Sequence, residues 1–94
     1  MDTEQSISIM KALADKSRLA IINSLLEQSQ YVEEIAKRHA LATSTVSFHL
    51  RKLEKAGLVI SHKEQYYVVF QANRSIFDTT LREIVSAPTA EKEL

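Results

Sequence analysis

The sequence predicts a mainly α fold with one β-hairpin, an α+β arrangement in the order ααααββα. Two observations carry this. Apolar residues recur at spacings of three and four before Gly57 and at spacing two after it. Gly57 is the only glycine and Pro88 the only proline in 94 residues, so the elements are helices joined by short turns. A chain of this length is one domain's worth.

The first helix is expected over 4–14, where Ile7, Met10 and Leu13 keep helical spacing with Ile9 beside them. Asp15 or Ser17 can cap the second. Its stripe is Leu19, Ile22, Leu25 and Leu26, and it ends near Gln28. Ser29 and Gln30 read as a turn. A brief helix over 32–39 puts Val32, Ile35 and Ala36 inward and Glu33, Glu34, Lys37 and Arg38 outward. Ala40, Leu41 and Ala42 form a link with Leu41 as its apolar plug.

The fourth helix is expected over 43–56, with Gly57 as a left-handed stop. The period then changes to two. Leu58, Ile60, Tyr66, Val68 and Phe70 alternate with Val59, Ser61, Tyr67, Val69 and Gln71, which predicts a hairpin of about 58–62 and 66–71. Its polar tip would be Lys63–Gln65. A last helix begins near Asn73, carries Ile76, Phe77, Leu81, Ile84 and Val85, and is ended by Pro88. Residues 1–87 then form the domain and 88–94 a polar tail or the start of a linker. Short helix, tight turn, second helix and hairpin is the order of a winged helix-turn-helix.

Composition excludes several function classes. Cys is absent, which rules out disulfides, thiolate metal sites and cysteine nucleophiles. There is no apolar run of about 18 residues and no secretory leader, which points to the cytoplasm and to no membrane partner. No nucleophile–base pair and no glycine-rich phosphate loop is present, so an enzyme is not expected. Formal net charge is zero, but it is unevenly spread. Residues 35–63 carry Lys37, Arg38, Arg51, Lys52, Lys55 and Lys63 against Glu54 alone. Such a local basic surface suits double-stranded DNA.

The fourth helix reads ATSTVSFHLRKLEKAGL with its flanks, and it starts on poor helix formers. At about 100° per residue, Val46, Leu50 and Leu53 form an apolar stripe. Ser44, Phe48, Arg51 and Lys55 lie opposite, with Ser47 on one flank and Thr45 and Lys52 on the other. Small hydroxyls at the N-terminal end allow close approach to a major groove, and cations meet the phosphates beside it. A solvated helix face would also carry Ser, Arg and Lys. Phe48 has three readings: contact with a thymine methyl, packing on the neighbouring helix, or an anchor for a protein partner. His49 is expected at the core boundary, making a hydrogen bond.

The run KALADKSRLAIINSLL resembles the first two helices of the arsenic-repressor-like (ArsR/SmtB) family. The run VEEIAKRHALATSTVSFHLRKLEKAGLV resembles its helix-turn-helix. The resemblance implies a homodimeric transcriptional repressor that binds imperfect palindromes. It also implies that Thr43, Ser44 and Ser47 contact bases or phosphates, and that Phe48 stands where many members place a histidine. Thr45, Arg51, Lys52, Lys55 and Lys63 complete the expected DNA contacts by position and charge. The first and last helices would build the dimer through Ile7, Met10, Phe77, Leu81 and Ile84.

Departures from the family pattern are informative. Ala42 replaces a capping serine, and Lys16 replaces a first-turn proline. The wing tip lacks the usual Gly and Arg. Tyr31, Val32 and Glu33 stand where a thiolate pair would lie, and residues 73–85 contain no His. The usual metal sites are therefore expected to be missing, and no cofactor is expected. The inducing signal could be a small molecule or a protein effector. The competing reading is a winged-helix protein–protein interaction module built on the Phe48 face.

Overall fold

The computed structural model describes residues 2–79. Helix α1 spans Thr3–Leu13 and α2 spans Lys16–Glu27. Strand β1 is Gln30–Tyr31, followed by α3, Val32–His39, and α4, Thr43–Lys55. Strands β2, Val59–Glu64, and β3, Tyr67–Ala72, form the wing. Residues 74–79 are again helical. The expected ends of that helix and of the domain, with Leu81, Ile84, Val85 and Pro88, lie outside the described residues.

Each helix boundary has a local cause. The Asp15 carboxylate, rather than Ser17, caps α2 by accepting from the Arg18 N–H at 2.9 Å. The Tyr31 N–H donates to Glu34 Oε1 at 2.9 Å and closes the first turn of α3. Ala40 ends α3 in the left-handed region, at φ 54°, and the Leu41 N–H reaches the Ala36 carbonyl. At the end of α4, Gly57 has φ +84°. Its N–H donates to Glu54 O and the Leu58 N–H to Leu53 O, a Schellman closure.

The core lies between α1, α2, α3, α4 and the base of the wing. Ile9, Ile21, Ile35, Val46, Leu53 and Leu58 are fully buried. This corrects two stripes. Ile9 rather than Ile7 or Met10 is the inward anchor of α1. Ile21 replaces Leu19 on α2, where Leu19 is exposed.

The sheet has three strands rather than two, in the order β1-β3-β2 and all antiparallel. Gln30, expected in a turn, pairs with Phe70 and is buried. The hairpin register also differs from the simple alternation. Val59 pairs with Ala72 and Ser61 with Phe70, so these share the core face. Ile60 pairs with Gln71 on the opposite face and is exposed. The wing tip moves outward to Gln65–Tyr66, and Lys63 lies within β2 opposite Val68.

Candidate nucleic-acid interface

Helix α3, the turn at Ala40–Ala42 and helix α4 form the helix-turn-helix. Val46, Leu50 and Leu53 hold α4 against the core at 1% exposure or less. That burial fixes the rotation of the helix, so the opposite face must point outward. Thr43, Ser44, Phe48, Arg51, Lys52 and Lys55 are exposed, and Thr45 and Ser47 are half-buried. The structure thus brings eight of the nine expected contact residues onto one helix. Lys63 stands apart on the wing, exposed beside His62 and Glu64, whose side chains lie 3.4 Å apart.

The helix start has a special feature. Ala42 is the N-cap and offers no side-chain acceptor. The first intrahelical bond runs from Val46 N to Ala42 O. The N–H groups of Thr43, Ser44 and Thr45 therefore precede the helical ladder and can take an outside acceptor. A phosphate oxygen is such an acceptor, and the helix dipole favours it there.

Phe48 is 47% exposed, yet its ring is held from two sides. Lys52 Nζ lies over it, 5.1 Å from the centroid. The His49 ring meets it edge-on at 5.6 Å. His49 itself is a buried boundary residue, as expected, with Nδ1 3.2 Å from the Arg18 guanidinium. Arg18 also donates from Nε to the Ala12 carbonyl at 2.6 Å. The aromatic on the outward face is thereby tied to α1 and α2.

The helix-turn-helix is clamped to the wing. Ser61 Oγ donates to Glu54 Oε2 at 2.8 Å. Asn73 Nδ2 donates to Gly57 O at 2.9 Å, and Asn73 N to Leu58 O. At the other end of the wing Tyr66 is 93% exposed. Tyr67 stacks on Tyr31 at 4.8 Å. The tip expected at Lys63–Gln65 makes Tyr66 the first residue of the second strand, whereas it lies in the turn. The positive φ of Gln65 marks the true turn.

Behind α3 a polar cluster joins three elements. Ser24 Oγ donates to Ile21 O, lies 3.1 Å from His39 Nε2, and accepts from Gln30 Nε2 at 3.2 Å. Since the Ser24 proton is spent on Ile21, His39 Nε2 acts as the donor. Burial, with the nearby Arg38 charge, lowers the His39 pKa. Among the described residues no group of three or more His, Asp or Glu side chains is arranged to hold a metal. No described helix is long and apolar enough to cross a membrane.

The sequence pattern of the bacterial regulatory proteins of the arsR family matches residues 15–61, which covers the cap of α2 through the first part of the wing. The chain belongs to the ArsR family. The HTH-type transcriptional regulator YceK of Bacillus subtilis is 30% identical over 85% of this chain and 82% of its own length. The transcriptional activator HlyU of Vibrio cholerae is 33% identical over 73% of this chain, which spans 64% of that relative. A homodimeric winged helix-turn-helix DNA-binding domain, Mb0332 of Mycobacterium bovis, superposes with a TM-score of 0.77 at 27% identity. That match covers 88% of this chain and 79% of Mb0332. As an ArsR-family protein, the chain is a DNA-binding transcriptional regulator.

Proposed function

We propose that the chain is a homodimeric repressor whose α4 enters the major groove of a palindromic operator. The observation that carries this is the outward face of α4. It combines an uncapped N-terminus, exposed hydroxyls at Thr43 and Ser44, and cations at Arg51, Lys52 and Lys55 above a fully buried stripe. Thr45 and Ser47 flank the entering end, Phe48 reads the groove, and Lys63 makes a weaker contact from the wing.

Dimerisation is supported by Ile7 and Met10, which are large, apolar and nearly half exposed on α1. Phe77 packs partly on this chain's own core, so only its remaining surface can serve a partner. Leu81 and Ile84, the other proposed dimer residues, lie outside the described residues. A two-fold dimer would set two α4 helices about one DNA turn apart. Its work in the cytoplasm needs no metal, and its inducer is a small molecule or protein effector. Repression requires an operator that overlaps the promoter. HlyU is named an activator, so likeness to these relatives does not by itself set the sign.

The test is titration of the chain with its own upstream DNA at several salt concentrations. A steep log–log slope, from roughly 6–10 neutralised phosphates per dimer, is expected. Absence of salt-dependent binding to any DNA would overturn the reading. It would leave the Phe48 face as a protein-docking surface, although the Lys52 charge over that ring favours phosphate-rich surroundings.

A further inference from the structure

A basic cleft runs from the cationic end of the outward face of α4 across to α1. Lys11 of α1, Arg18 of α2, and Lys52 and Lys55 of α4 line an open cleft of about 300 Å³, with Ser8 beside them. No carboxylate lines it. Among the described residues none of the three lysines has an ion-pair partner within 4 Å. Asp15, which caps α2, feels the Arg18 charge, and Glu4 lines a neighbouring depression with Ser8 and Lys11. Cations gathered this way repel one another, and an anion between them removes that cost.

The cleft is also built to orient its ligand. Contacts to Ala12 O and His49 Nδ1 hold the Arg18 guanidinium in place and leave its other N–H groups for a partner. Three helices supply donors from different directions. That arrangement suits a tetrahedral phosphate better than a planar carboxylate.

We propose that this cleft binds a phosphate-bearing small molecule and passes the event to Phe48. Both supports of the Phe48 ring reach the cleft. Lys52 lines it directly, and His49 is held by Arg18. An anion that draws Lys52 and Arg18 inward alters both supports at once. One wall is α1, which carries none of the proposed groove contacts, so the cleft extends beyond the DNA-reading face.

The same phosphate chemistry is present in a DNA backbone, so the experiment has two arms. In the first, the full chain without DNA is titrated with pyrophosphate at constant ionic strength, by calorimetry and by NMR of the Phe48 ring. Saturable binding is expected, weakened about tenfold by Lys11→Gln, with the Phe48 resonances moving in step. In the second, DNA affinity of Lys11→Gln is measured without pyrophosphate. It should stay within about twofold of the parent at physiological salt, where screening acts over about 8 Å. No saturable pyrophosphate binding, or equal binding by the variant, overturns the proposal. A large loss of DNA affinity in the variant also overturns it and assigns the cleft to the DNA footprint. An unmoved Phe48 ring overturns the coupling. The first arm contains no DNA, so it succeeds or fails independently of the repressor reading.

Discussion

His49 Nδ1 lies 3.2 Å from the Arg18 guanidinium, joining α4 to α2 across 31 residues of sequence. Arginine only donates, so His49 Nδ1 must accept. The same guanidinium satisfies the Ala12 carbonyl. Arg18→Leu keeps some apolar packing but leaves both acceptors without this donor. A loss of about 1–3 kcal/mol in urea unfolding is expected, with specific DNA affinity falling beyond what lost stability explains. An unchanged unfolding midpoint would show that the contact carries no weight.

On α4, Ser44→Ala with Ser47→Ala should weaken binding to the operator more than to random duplex. Arg51→Ala should weaken both about equally and lower the salt slope by about two, roughly one for each protomer of the dimer. Phe48→Ala should change stability by less than about 1 kcal/mol, because the ring is only half covered, while reducing sequence discrimination. Parallel titrations on operator and scrambled duplex check all three.

The missing cap of α4 is correctable. Ala42→Ser supplies the acceptor that Ala42 lacks and should stabilise the fold by about 0.5–2 kcal/mol. Thermal unfolding measures the gain. No gain would mean that the serine side chain does not reach the N–H groups of Ser44 or Thr45.

Gly57 tests the closure between helix and wing. A Cβ there would sit 3.2 Å from Ile76 Cδ1, on a backbone already at φ +84°. The left-handed backbone alone costs an alanine about 1–2 kcal/mol. Gly57→Ala should therefore lower stability by at least that much. Gly57→Asn should do less backbone harm, since Asn tolerates this region better.

Acid should weaken the fold through His39. Its pKa is lowered by burial and by Arg38, so the unfolded chain binds the proton more readily. The His39 contribution is present above the unfolded value of about 6.5 and is lost as pH falls from there through the lower folded value. Asp15 is also held low, first by the Arg18 backbone N–H, so its contribution is lost further down in the carboxylate range. The melting temperature should drop between pH 7.5 and 5.5, and His39→Gln should flatten that drop. An equally steep drop in the variant would place the titration elsewhere.

Much of α4 was legible because its determinants are local. A stripe of Val46, Leu50 and Leu53 at helical spacing predicts its own burial and the exposure of Ser44, Phe48 and Arg51, and the structure agrees. Asp15 as a cap and Gly57 as a stop belong to the same class, since each acts within a few residues of itself.

Other features required distant segments. Strand β1 is two residues long and exists only because Gln30 and Tyr31 meet Phe70 and Val69. Both Val59 and Ile60 are apolar, so alternation could not choose between them; pairing with Ala72 did. The basic cleft draws on residues 11, 18, 52 and 55, and segment charges alone concealed it because residues 1–34 are acidic overall. The sequence by itself determined the helices, the outward face of α4 and the family, because side-chain period and short-range capping are properties of neighbours along the chain. Only the tertiary structure decided the strand register, the Arg18–His49 tie and the cleft, because each depends on which distant surfaces pack together.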